Sequence, residues 1–192
     1  MRKIILTEWI SLDGFVCGPN NDMGFVGQFF DETMGQYESN FLDSGDTVML
    51  GRVTYDSFAG AWPDRETDPK LAEGERDYAK RLNAKKKIVF SRKMEKAEWN
   101  NSEVWKEIDP EKIQALKNSE GGDILIYGSA SIVQQLTNLG LIDGYQLLMH
   151  PIVLGDGKPL FKDIKEKKTL KLIESKPFPS GVVLLKYSSS MD

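Results

Sequence analysis

Cysteine and histidine each occur once in the 192 residues, as Cys17 and His150. That scarcity excludes a disulfide framework and a zinc cluster, and it leaves no second histidine for a Ser-His-Asp type of relay. Long apolar runs are also missing: no stretch approaches the ~20 residues needed to span a bilayer. The opening Arg2-Lys3-Ile4-Ile5-Leu6 is too short for a signal peptide and is soon followed by Glu8, so the cytoplasm is the expected compartment. Nor does one sign of charge dominate. The balance of 25 basic and 29 acidic residues, net −4, provides no general attraction to nucleic acid. What remains is 40% hydrophobic and 28% charged, the composition of a packed globule rather than a disordered chain, and the length suits one domain over residues 1–192.

Strand-length apolar runs alternate with amphipathic stretches. Lys3–Ile10 reads as a strand closed by the turn Asp13-Gly14. The segment Phe29–Leu42 carries Phe30, Met34, Tyr37 and Phe41 at helical spacing and is expected to be one helix. Thr47–Leu50, Lys87–Phe90, Val104-Trp105 and Asp123–Tyr127 are further strands, with helices from Val53, over Glu73–Leu82, over Pro110–Lys117 behind the cap Asp109, and over Ser129–Leu139. Trp62–Lys70 reads as a loop. Three strands, Tyr145–Met149, Thr169–Glu174 and Val182–Tyr187, follow with no helix between them. Alternation first and consecutive strands last predict an α/β fold whose mainly parallel sheet carries antiparallel C-terminal strands.

Three of these strands end in the same chemistry. Leu50-Gly51-Arg52-Val53-Thr54 sets a glycine, a guanidinium and a hydroxyl at a helix start; Phe90-Ser91-Arg92-Lys93 sets a hydroxyl beside cations; Tyr127-Gly128-Ser129-Ala130-Ser131 opens a helix with a glycine and two hydroxyls. Ligands of open α/β sheets bind beyond the strands' carboxyl ends, where unpaired helix N–H groups attract anions. Three such ends with two arginines suit a ligand with several phosphates, and Ser91-Arg92 suits an isolated phosphate monoester such as the 2′-phosphate of NADP. No G-x-G-x-x-G fingerprint is present, which argues against an ordinary Rossmann dehydrogenase.

As an ordered set, these stretches resemble the dihydrofolate-reductase-like superfamily. Within it they resemble small proteins similar to the reductase domain of the bacterial riboflavin-biosynthesis deaminase/reductase. The residues that carry the resemblance are Ser11-Leu12-Asp13-Gly14-Phe15, Leu50–Tyr55, Val89–Arg92, Ile126–Ala130 and Pro151–Gly157 with Leu160-Phe161. It implies a three-layer fold with helices on both faces of the sheet. It also implies NADPH as cofactor and an activity like that of a 5-amino-6-(5-phosphoribosylamino)uracil reductase on a pterin- or pyrimidine-like heterocycle. A catalytically idle dimeric nucleotide-binding protein and a dihydrofolate reductase are the alternatives. By the same resemblance, Gly51, Arg52 and Thr54 meet the cofactor phosphates, Ser91 and Arg92 lie near the 2′-phosphate, and Tyr127, Gly128, Ser129, Ala130 and Ser131 cradle the pyrophosphate. The loop of residues 13–18, with Val16, flanks the nicotinamide, and the C-terminal strands pair two subunits as a homodimer.

The chain departs from the riboflavin enzyme in lacking its zinc-bearing deaminase half. It also reads Tyr55-Asp56-Ser57-Phe58 where that enzyme has a loop with paired aspartates, and Tyr127-Gly128-Ser129 where that enzyme has Glu-Gly-Gly. Reduction needs a proton as well as a hydride. Dihydrofolate reductases take theirs beside an acid on the helix before the Gly-Arg turn, and the matching region here offers Asp31 or Glu32. Glu8 beside Trp9 is an alternative acid in the first strand, and Asp13 is placed to orient a substrate amine. Aromatic side chains available to wall the substrate pocket are Phe25, Phe29, Phe30, Tyr55, Phe58 and Trp62. His150 reads as a strand-end residue near a subunit contact, the Leu154–Lys158 turn as a hairpin, and no metal site is expected.

Overall fold

The computed structural model describes residues 1–189. β1 (Ile4–Ser11) is followed by the short β2 (Phe15–Cys17), a 3-10 turn at Pro19–Asn21, and helices α1 (Gly24–Phe29) and α2 (Glu32–Asp43). β3 (Gly45–Gly51) passes without a loop into α3 (Arg52–Ala59), and α4 (Trp62–Arg65) and α5 (Glu73–Ala84) lead to β4 (Lys86–Phe90). Next come β5 (Ser102–Trp105), α6 (Pro110–Asn118), β6 (Asp123–Tyr127) and α7 (Ala130–Asn138). β7 (Gly144–His150), β8 (Lys158–Pro159), β9 (Lys171–Pro177) and β10 (Val183–Ser188) complete the described chain.

The main sheet has eight strands in the order β5-β4-β3-β6-β1-β7-β10-β9. From β5 to β7 every neighbour is parallel; β10 runs antiparallel to both β7 and β9. The expected mainly parallel sheet with antiparallel C-terminal strands is therefore the observed one. Its central strands read as unbroken apolar runs because both faces are covered. Met49, Ile88, Ile124 and Ile126 face α6 and α7, packing with Ile113, Val133 and Leu136. Their neighbours Val48, Leu50, Val89 and Leu125 face α2, α3 and α5, packing with Phe41, Tyr55 and Leu82. The period-two alternation of strand side chains thus divides one apolar run between two cores.

Two local readings change. The expected helix over Phe29–Leu42 is two helices, because Phe30 and Asp31 are extended and the Asp31 carboxylate caps α2 by accepting the Met34 N–H at 2.8 Å. The apolar spacing runs across this break because Phe29 and Phe30 both find apolar neighbours on either side of it. Within the expected loop of residues 62–70, Pro63 sits in the first turn of the short helix α4, a position where its missing N–H costs nothing. Among the described residues, no helix is long and apolar enough to cross a membrane.

One asymmetry of the sheet makes the site. β1 pairs with β6 only as far as Thr7 opposite Tyr127, but continues alongside β7 to Ser11 opposite His150. Past Thr7, its other edge has no strand paired to it among the described residues, and the sheet opens there.

Candidate functional site

The opening is the deep end of a cleft across the carboxyl ends of β4, β3, β6 and β1. An outer groove of about 350 Å³ runs along β3, β4 and the start of α7, and an inner cleft of about 240 Å³ enters between β1 and β6. Val53, Thr54, Ser129 and Lys158 line both, so the two are continuous.

The outer groove is cationic and rich in hydroxyls. Arg52, Arg92, Lys93 and Lys158 line it, together with Thr54, Ser91, Ser129 and Ser131. Its geometry follows from the strand-to-helix turns. Gly51 ends β3 and starts α3, and a side chain there would press on Ile132 and on the Ser129 hydroxyl, each 3.4 Å from the position of a Cβ. Opposite it, Gly128 and Ser129 are both left-handed, with φ of 57° and 66°, a conformation that glycine adopts freely and serine adopts only under local constraint. The constraint is visible: Ser129 Oγ accepts the Gly51 N–H at 2.8 Å and lies 3.0 Å from Thr54 Oγ1. The ends of β3 and β6 are thereby tied together. No side chain caps α3 or α7, so two helix N-termini offer N–H groups to one groove. Ser91 is buried and its hydroxyl accepts the Met94 N–H at 3.0 Å, which holds the turn presenting Arg92 to solvent. Arg52 is half-exposed and paired with Asp56 at 2.7 Å.

The inner cleft is lined differently. Glu8 and Glu38 are 4% and 6% exposed, and both reach it with Trp9, Phe58 and Tyr127. Glu38 Oε1 accepts the Trp9 indole N–H at 2.8 Å. Glu8 Oε2 is buried without a hydrogen-bond partner. Burial pushes the Glu8 carboxyl up to about 8; the Trp9 backbone and the Lys158 charge pull the other way, and the Glu38 charge adds to the rise. Burial likewise pushes Glu38 up to about 7, against the pull of the Trp9 hydrogen bond.

Lys158 reaches both halves because β8 pairs with β2, setting Lys158 opposite Cys17. Gly157 makes that pairing possible: its φ is 146°, and a Cβ would stand 2.1 Å from the Cys17 carbonyl oxygen. Asp13 secures the same loop. Its carboxylate accepts from Ser11 Oγ at 2.6 Å, Leu154 N at 3.1 Å and Gly155 N at 2.7 Å, and the Ser11 bond chiefly holds its pKa down near 2.

Most of the sequence-predicted residues meet in this cleft. Gly51, Arg52, Thr54, Ser91, Arg92, Ser129 and Ser131 line the outer groove. Glu8, Trp9, Val16, Phe58, Tyr127, Gly128 and Ala130 line the inner one. Others lie elsewhere. Asp31 is engaged as the α2 cap, its second oxygen accepting the Ser180 N–H at 3.2 Å, and Glu32 is exposed in the first turn of that helix. Asp13 anchors the β8 loop rather than facing the cleft. Phe30 is half-exposed and meets Trp9 edge-on at 6.3 Å. Tyr55 is buried, its hydroxyl accepting the Trp99 N–H at 2.9 Å. Phe25 and Phe29 pack on the fully buried His150, with ring centroids 5.1 and 5.9 Å away, so this histidine is a core residue. Among the lining residues, Glu38 is not singled out in the sequence, Lys158 is read there only as the end of the Leu154–Lys158 turn, and Lys93 only as a cation beside Arg92. A signal for Glu38 existed: it falls at i+4 from Met34 and i−4 from Leu42, on the apolar face of α2. Among the described residues, no cluster of His, Cys, Asp and Glu could hold a metal ion.

Comparison with known proteins agrees with this architecture. An uncharacterized protein of Bacillus subtilis (strain 168), YyaP, is 38% identical over 186 residues, covering 97% of this chain and 94% of its own. Among solved structures, the diaminohydroxyphosphoribosylaminopyrimidine deaminase/5-amino-6-(5-phosphoribosylamino)uracil reductase of Thermotoga maritima is 16% identical with a TM-score of 0.66, over 97% of this chain and 56% of that one. A dihydrofolate reductase from Enterococcus faecalis, solved with NADP(H), is 13% identical with a TM-score of 0.61, over 97% and 95%. Both likenesses concern the fold, which is therefore dihydrofolate-reductase-like. Residues 2–184 match the family described as the RibD C-terminal domain, and the chain belongs to that family.

Proposed function

We propose that the protein is an NADPH-dependent reductase of a pterin- or pyrimidine-like heterocycle. One observation carries the reading: a cationic, hydroxyl-lined groove with two uncapped helix N-termini runs without interruption into an apolar cleft holding buried carboxyls. The donor set fits a phosphate-rich cofactor. Arg52, Thr54 and the N-terminus of α7 would hold its pyrophosphate, and Ser91 and Arg92 would hold a 2′-phosphate through charge-assisted hydrogen bonds. Val16 and the opening beside β1 would flank the nicotinamide, where bound NADPH supplies a hydride. The rest is done by the chain itself. Trp9, Phe58 and Tyr127 exclude water and stack against a flat ring, and the carboxyls face its polar edge.

Spectrophotometric oxidation of NADPH tests this, with dihydrofolate and a ribosylaminouracil offered as separate substrates. Oxidation dependent on one of them supports the reading and selects pterin or pyrimidine. NADPH binding without oxidation by either would replace it with an idle nucleotide-binding scaffold.

A further inference from the structure

The inner cleft contains a carboxyl that neither the fold nor the cofactor grip uses. Glu8 lies in a strand otherwise made for packing, between Leu6 and Ile10, which point the same way and are themselves buried. A side chain chosen for packing at such a position would be aliphatic or aromatic. Instead, Glu8 carries a carboxyl oxygen that is buried without a partner and sits where β1 runs past the end of β6. An ionised oxygen so placed would be costly to bury, whereas a protonated one holds a hydrogen ready for an acceptor entering the cleft.

Its surroundings favour that state. Glu38 brings a second carboxyl from α2, held in place by the Trp9 indole. Lys158 reaches in from β8, Cys17 from β2 and Tyr127 from β6, while α3 and the start of α7 contribute the hydroxyls of Thr54, Ser57 and Ser129. Lys158 is the one cation among these lining residues, and it is exposed to solvent. Of the three acids offered by the sequence, the other two are placed elsewhere, Asp31 at the α2 cap and Glu32 in solvent.

We infer that Glu8 is the catalytic acid of the reduction, donating its Oε2 proton to the substrate, and that Glu38, fixed by Trp9, is the positioning residue that keeps this proton in place. The inference rests on the reductase reading. As the carbon of a substrate C=N or C=O bond accepts the hydride, its π pair moves to the nitrogen or oxygen. That atom takes the Glu8 proton, and the O–H bonding pair stays behind on the carboxylate. Lys158 steadies the transient charge, and water at the cleft mouth restores the proton. Burial lifts the Glu8 carboxyl to about 8 against the pull of the Trp9 backbone and the Lys158 charge, with a smaller push from the Glu38 charge, so the proton is present at neutral pH.

The test is ¹³C NMR of the full chain labelled at glutamate side-chain carboxyls, titrated with and without NADPH. A resonance with a midpoint near 8 should vanish in Glu8→Gln, and in Glu38→Gln it should move to lower pH. A Glu8 midpoint in the ordinary carboxylate range overturns the assignment. On the same samples, Glu8→Gln should bind NADPH within about twofold of the wild type. With whichever of dihydrofolate and ribosylaminouracil the wild type reduces, its turnover should be roughly 10²-fold or more slower. For that probe, Glu38→Gln should shift the basic limb of the kcat profile to lower pH with little change in KM. Failure of the wild type to bind NADPH would sink the reductase reading; normal binding with undiminished turnover in Glu8→Gln would sink this inference alone.

Discussion

The two halves of the cleft handle charge in opposite ways. In the outer groove, Arg92 and Lys93 are exposed and Arg52 is half-exposed, so each can meet an anion from water. In the inner cleft, Glu8 and Glu38 are almost wholly buried, and burial lifts both pKa values into the range where proton transfer is easy. In the reading we propose, charge kept in solvent recognises the ligand and charge withdrawn from solvent reacts with it. Lys158, common to both halves, is where the two regimes meet.

The largest effect should come from breaking the bridge between them. Gly157→Ala would place a Cβ against the Cys17 carbonyl in a backbone conformation that suits glycine, costing on the order of 3 kcal/mol of stability in thermal unfolding. Next is the pH dependence of stability. Glu8 binds its proton more tightly folded than unfolded, so its contribution is complete below 4.5 and is lost as pH rises through about 8. Melting temperature should therefore fall from pH 5 to pH 8, and Glu8→Gln should flatten that slope by on the order of 2 kcal/mol. Asp13 has the opposite sign: its contribution is present above 3.8 and disappears as pH falls toward 2, so Asp13→Asn should flatten only the acid limb of the same curve. The smallest effect belongs to the outer rim. Asp56→Asn removes an exposed pair and should change stability by less than about 0.5 kcal/mol, while freeing Arg52 and tightening NADPH binding by about twofold in a fluorescence titration.

The same contrast explains what was legible in the sequence. The outer groove is assembled from residues that directly follow strands, so Gly51-Arg52, Ser91-Arg92 and Gly128-Ser129 are visible as local words once the strands are found. The strands were themselves plain, because covering both faces of β3, β4 and β6 leaves only apolar residues. The inner cleft is assembled at long range. Lys158 arrives through a two-residue strand paired to β2, a contact with no local signature. Glu38 looks like any helical glutamate until its place on the Met34–Leu42 face is weighed. Asp31 was legible as an acid near the right helix but not as its cap, because an aspartate three residues before Met34 serves either role. Glu8 stands out as an acid in an apolar strand, yet its access to the cleft depends on β6 stopping at Tyr127, which the sequence of β1 alone does not contain.

The central claim is that one rim of cations and hydroxyls grips the phosphates of NADPH, and its most direct test is a paired titration with NADPH and NADH. The wild type should bind NADPH at least about tenfold more tightly than NADH, and Arg92→Ala should erase that difference by weakening NADPH alone. Equal affinity of the wild type for both nucleotides, or an NADPH preference that survives the loss of Arg92, would contradict it.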